Sequence, residues 1–253
     1  MVGPGTLHGP VPTARVQGRS YRVPPRDAAS HLARLIARRR AGRPRILAGV
    51  EDNAFSLAAP LPARLREAVD VEGKFPRALL ALGLPAAGDV ALLGDADGWH
   101  AARLAAAGIT VRSEPLAEPF RLDFPDASLD AVVSLWSGFR GVEAAARDEA
   151  DRVLRVGGRL FVAHDYGRDD VSRLRPTDAP EYTSWSRRHG PFLREGGFRI
   201  HVLHCFWTFA TIEQAGEVLA EAFGERGAAV GAALRRPRLS WNVAIYHRTR
   251  PPV

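Results

Sequence analysis

The chain has 253 residues, close to half of them hydrophobic, and a formal net charge of +7. That length buries a substantial core, as one large domain or one domain with an extension, while no run approaches the roughly 18 apolar residues that a membrane span requires. A single cysteine, Cys205, excludes an intrachain disulfide and a thiolate metal cluster.

The start, "MVGPGTLHGPVPTARV", lacks the apolar core of a secretory signal, so the expected location is the cytoplasm. Lys74 is the only lysine. An arginine-only basic excess in an alanine-rich chain reads as coding bias rather than as selection for phosphate, so nucleic acid and membrane partners are disfavoured. The string "RRRAGRPR" (38–45) resembles a minor-groove hook, but such strings arise often in an arginine-biased chain. A homodimer stays open.

Residues 1–25, rich in Gly, Pro and Arg without periodicity, are expected to be a flexible arm. Leu32, Leu35 and Ile36 share one helical face after a possible cap at Asp27, and Gly42 with Pro44 ends that helix. Two more helices are expected near Ala63–Val69 and Phe75–Leu82, which makes 26–85 a helical N-terminal extension. From Asp89 short β-rich runs alternate with helical stretches: "DVALLG", helix "WHAARLAAAG", "ITVRSE", "LDAVVSLW", helix "VEAAARDEADRVLRVGG", "RLFVAHDY". A helix in "EYTSWSRRHGPFLREGG", strand "FRIHVLHCF", helix "TIEQAGEVLAEAFGERG" and strand "SWNVAIYHR" complete the series. Such alternation implies an α/β fold with a doubly wound, mostly parallel sheet, and the last two strands can form an antiparallel edge pair.

Ligands of such sheets sit at the carboxyl ends of the strands, where strand order reverses. The first strand leaves through Gly94, Asp95, Ala96, Asp97 and Gly98, a turn in which glycine permits positive φ and the next helix offers free N–H groups. Two carboxylates there oppose a pyrophosphate but tolerate a ligand of net positive charge. Each aspartate also has a plain structural reading, as a helix cap or a solvated turn residue.

"FPDASLDAVVSLWSGFRG" followed by "EADRVLRVGGRLFVAHDYGRDD" resembles the middle of class I S-adenosylmethionine-dependent methyltransferases of the UbiE-like, type 11 kind. The resemblance covers about 86–250 and implies a Rossmann-like domain, S-adenosylmethionine as cofactor and a small-molecule substrate. It places Gly94–Gly98 against the methionine part of the cofactor, Glu114 at the ribose hydroxyls and Glu118 near the adenine. Ser134, Leu135 and Trp136 form the pocket floor, and His164, Asp165 and Tyr166 face the substrate, with His164 as base and Asp165 as its orienting partner or a direct substrate contact. Methyl transfer also proceeds without a base when alignment does most of the work. Residues 26–85 would serve as a lid.

Two departures stand out. Leu92 holds the place of an acid usual in the family's first strand, and Glu114 and Glu118 are four apart where the family has a whole helix and strand. A parallel crossover needs about a dozen residues, so the third strand and its helix are expected to be missing. This motivates the alternative of a methyltransferase-fold binding protein without transfer activity. His100 is expected on a helix surface. His201 and Cys205 share one strand face with His204 on the other, poor spacing for metal ligands, so no metal site is expected.

Overall fold

The computed structural model describes residues 61–116, 120–175 and 189–252. The arm, the helix around Leu35 and the arginine string lie outside the described residues, as do Glu118 and residues 181–188 of the 181–197 stretch. At the centre, β1 (Val90–Leu93) is apolar and buried at all four positions, as a strand must be when both faces of a parallel sheet are covered. It pairs in parallel with β2 (Arg112–Glu114) on one side and β3 (Leu129–Leu135) on the other. β3 pairs in parallel with β4 (Leu154–Asp165). Beyond it, β6 (Arg238–Thr249) runs antiparallel between β4 and β5 (Arg199–Thr208), giving the order β2-β1-β3-β4-β6-β5. This is a Rossmann-like, doubly wound and mostly parallel sheet, and its order reverses between β1 and β3.

Helices cover both faces. Leu92, Val133, Phe161, Ala163 and Ile245 share one core with Leu65 of α1 (Ala63–Ala68), Leu79 of α2 (Lys74–Ala81), Leu104 of α3 (Trp99–Ala106) and Val218 of α6 (Ile212–Ala232). On the other face Ala91, Leu93, Val132, Leu160 and Val162 meet Ala150 and Val153 of α4 (Ala144–Val153) and Phe192 of α5 (Pro191–Arg194). The helices expected near 63–69 and 75–82 thus pack into the same core as the sheet.

Two elements differ from the sequence expectation. "LRVGG" belongs to the amino end of β4 rather than to the preceding helix, because β-branched Val156 and two glycines favour extension over a further turn. α6 continues to Ala232 past a break at Gly224, whose φ of 58° and ψ of −140° only glycine adopts freely. The expected omission after β2 is present: among the described residues of 115–128 there is no strand or helix. Arg152 of α4 holds this link instead. Its guanidinium donates to the carbonyls of Leu122 (3.0 Å) and Phe124 (2.9 Å) and pairs with Asp126 and Glu149, each at 2.7 Å. Glu149 in turn accepts the Leu122 N–H at 2.8 Å.

Asp70 couples α2 to the sheet-facing side of α3. Its carboxylate accepts the N–H groups of Lys74 and Phe75, both at 2.9 Å, and pairs with Arg103 at 3.0 Å while its side chain is 1% exposed. Removing it orphans two helix donors and leaves a largely buried guanidinium without its carboxylate. Asp70→Ala is therefore expected to lower stability by about 3–5 kcal/mol. Arg64→Ala, which breaks an exposed pair with Glu217, should cost less than about 1 kcal/mol. Urea unfolding of the two variants checks the contrast, and near-equal losses would refute it.

Candidate functional site

At the reversal point the chain leaves β1 through Gly94, with φ of +75° and its N–H donating to the Glu114 carbonyl at 2.9 Å. A Cβ here would stand 2.7 Å from the Ser137 Cβ and 3.2 Å from Leu116 Cδ1, so the glycine is required by the close approach of the loop after β3. Ala96 is not among the residues with positive φ, and its methyl is therefore accommodated without backbone strain. Gly98 has a φ of +70° and faces open space.

The two aspartates serve the helix. Asp95, 8% exposed, accepts the N–H groups of His100 (3.1 Å) and Ala101 (2.8 Å), and Asp97 accepts that of Trp99 at 3.1 Å. These are the first three donors of α3, the groups that a helix start otherwise offers to an anion. Asp97 also pairs with Arg66 at 2.7 Å. An incoming phosphate or carboxylate thus meets acceptors where the turn would normally present donors.

Ser134, Leu135 and Trp136 lie beside this turn at the exit of β3. Ser134 donates its hydroxyl proton to the Phe139 carbonyl at 2.8 Å and stands 2.6 Å from the Ser137 hydroxyl. Trp136 takes a left-handed φ of +51°, rare for a bulky residue. Its indole stacks between His100 and Trp241, each with centroids 5.4 Å away, and tilts against Phe75 at 5.3 Å. His100 is therefore a buried packing residue, 3% exposed, rather than the expected helix-surface histidine. Its ring packs against those of Trp99 and Trp136, which keep it inside at the β3 exit.

The residues expected to face the substrate separate. Phe161 and Ala163 belong to the core under α2, and Leu160 and Val162 to the core under α4; by alternation Asp165 follows the former and His164 the latter. Asp165 therefore cannot orient the His164 ring. Its Oδ1 accepts the indole N–H of Trp241 at 2.6 Å and of Trp136 at 3.3 Å, and its other oxygen pairs with Arg175. Burial raises its pKa against the opposing pull of Arg175. Across the strand, Arg140 Nη1 lies 2.9 Å from His164 Nδ1 and donates to the Ser137 carbonyl at 2.6 Å. Burial first, then the positive charges of Arg140 and Arg175, hold the His164 pKa well below 6.5. The ring is neutral at pH 7.

Tyr166 is half-buried, with its N–H bonded to the Asn242 carbonyl at 2.8 Å. Glu114 is likewise half-buried at the end of β2, next to the glycine turn. His204 bonds Asn242 at 2.7 Å, and burial pushes the Cys205 thiol pKa upward, so both are occupied structurally. Among the described residues no group of three or more His, Cys, Asp or Glu side chains is placed to hold a metal, and no helix is long and apolar enough to cross a membrane. Arg140, Arg175 and Trp241 complete the cluster. They were not legible in the sequence because only the register of β6 on β4 brings Trp241 across.

No family model and no curated protein sequence matches the chain. Among solved structures it is similar to a candidate type II methyltransferase from Anaeromyxobacter dehalogenans (17% identity, 72% of this chain and 97% of that one, TM-score 0.43). A candidate methyltransferase of an antibiotic biosynthesis pathway from Anabaena variabilis is 14% identical over 73% of this chain and 99% of that one, with a TM-score of 0.42. A geranyl diphosphate methyltransferase in complex with its diphosphate and sinefungin is 17% identical over 71% and 78%, with a TM-score of 0.36. These likenesses are loose, and the reading below rests on strand order and site residues.

His164 gives the site a pH signature. The unfolded chain binds its proton near pH 6.5 whereas the folded one does so only well below, so stability is complete above pH 6.5 and falls as pH drops toward the folded value. Its slope approaches about 1.4 kcal/mol per pH unit for this one proton. Melting of wild type and His164→Gln between pH 7.5 and 5 should show a shallower decline in the variant, and parallel curves would contradict it. Asp95→Ala orphans two helix donors and should cost about 1–2 kcal/mol in the same assay.

Proposed function

We propose that the chain transfers the methyl group of S-adenosylmethionine to a small molecule. One observation carries this reading: the glycine turn, Glu114 and the exit of β3 stand side by side at the order reversal of a sheet in which antiparallel β6 is inserted between β4 and β5. That is a Rossmann-like, mostly parallel sheet, as the resemblance over about 86–250 implies, with the third strand left out.

The residues at this edge suit the cofactor in part. Glu114 can accept from two ribose hydroxyls, and the open side of Gly98 leaves room for backbone approach. Asp95 and Asp97 make the turn acidic, which favours a sulfonium and an ammonium over a phosphate. The methionine carboxylate cannot take the start of α3, since Asp95 and Asp97 already do. Bound here, the cofactor supplies an electrophilic methyl carbon. The chain's part is to hold the acceptor in line with it and to exclude water. Tyr166, half-buried at the end of β4, is the group we place nearest the acceptor, while Asp165 and His164 shape the walls on opposite faces. The expected setting is the cytoplasm.

Titration calorimetry with S-adenosylmethionine and S-adenosylhomocysteine, followed by transfer of labelled methyl to a small-molecule library, tests the proposal. Saturable heat is expected, with Glu114→Ala weakening affinity by about ten- to a hundredfold, the worth of one or two hydrogen bonds to a charged group. No heat and no change in melting temperature at millimolar ligand would overturn it in favour of a binding protein without transfer.

A further inference from the structure

Arg64, Arg66, Arg103, Arg152, Arg155, Arg175 and Arg248 each have a carboxylate partner. Among the described residues, a group of cations on the β4–β6–β5 half of the sheet has no carboxylate pair. Across β4, β6 and β5 the register sets Phe161, His247 and Arg199 in a row, and on the same face Arg159 lies two residues to one side of that row and His201 two residues to the other. Arg159 Nη2 lies 3.2 Å from His247 Nδ1, and its guanidinium stands over the Phe161 ring, 5.4 Å from the centroid. Its Nε is buried with no hydrogen-bond partner. On its far side the guanidinium backs onto Gly83, where a Cβ would come within 2.9 Å of Nη1. Arg199 and His201 are exposed, so the group opens to solvent on the β5 side. The charges that act on His247 are those of Arg159, Arg199 and His201, all positive.

Like charges facing each other across strands destabilise a sheet, and no carboxylate among the described residues pairs with these. We propose that Arg159, Arg199, His201 and His247 form a binding site for a phosphate-type dianion, free or carried as the phosphomonoester of a small molecule. Two planar guanidinium forks match the oxygens of such an anion, and the imidazoles add donors when protonated. The other three gather around His247, a number of contacts suited to a single phosphate. A nucleic-acid backbone needs contacts to many, and the nearby Arg155 and Arg248 are already paired. Arg159 precedes Asp165 by six residues on one strand, about 20 Å, so the site stands apart from the glycine turn and does not depend on methyl transfer.

The test is nuclear magnetic resonance of the His201 and His247 rings in the full chain at pH 7, titrated with inorganic phosphate or glycerol phosphate at ionic strength held constant with sodium chloride. Saturable shifts of both rings at millimolar anion are expected, and Arg199→Gln, at an exposed position, should raise the dissociation constant about tenfold, as loss of a charge-assisted fork does. Tighter saturation by glycerol phosphate than by phosphate identifies the phosphomonoester. Shifts that chloride reproduces, or a constant unchanged in Arg199→Gln, would overturn the site. So would binding to phosphatidic acid vesicles without any response to either soluble anion.

Discussion

The carboxylate of Asp165 is the point on which the carboxyl edge of the sheet depends. A buried charge is tolerated only when its lone pairs are met, and here two indole N–H groups and a guanidinium meet them. The geometry is restrictive. Trp241 comes from β6, Trp136 from the turn after β3, and Arg175 from the residue after a short 3₁₀ turn at Val171–Leu174, so one carboxylate ties three separate segments to β4. The left-handed backbone of Trp136 follows from this demand: the indole must reach back toward Asp165 while the backbone N–H of Trp136 stays on the Ala163 carbonyl at 2.9 Å. Strain of this kind persists only where surroundings over-determine it, and stacking on His100 and Trp241 supplies that determination.

A second constraint acts a few residues away. Helix starts attract anions, and in many α/β sheets that attraction defines the ligand. In this chain Asp95 and Asp97 occupy the same donors from within, and Arg66 neutralises one of the two. Local helix stability and ligand preference are thus set by the same carboxylates. A turn stabilised in this way no longer offers those donors to an anion.

How far the sequence foretold this depends on the range of the interactions. Strand and helix positions from β1 to β6 were legible because burial on both sides leaves apolar runs, as in "VALL" and "AVVSL", and helical periodicity marks the rest. The capping role of the aspartates was visible too, since a cap is a contact between near neighbours. What escaped depended on register. Whether His164 and Asp165 point together or apart is fixed by the pleat of β4, and their partners, Arg140 and Trp241, come from a loop and a strand 24 and 76 residues away. His100 looked like a surface residue because nothing near it in the sequence announces that Trp136 will turn inward to stack on it. The early start of β4 was missed for a related reason: "LRVGG" follows a good helix, and only pairing with β3 and Arg250 draws it into the sheet.

The link from β2 to β3 has no strand or helix among its described residues, and the fold compensates for that. A strand and helix beyond β2 would bury that edge and wall the pocket. Without them the link to β3 must satisfy its own backbone, which Arg152 and Glu149 accomplish from α4. Both ion partners raise the Arg152 pKa, and Arg152 holds the Glu149 carboxyl below its usual range, so the clamp stays charged across the neutral range. The wall is rebuilt from apolar side chains. Phe120 stacks on Phe139 at 4.7 Å, and Leu116 reaches to Gly94.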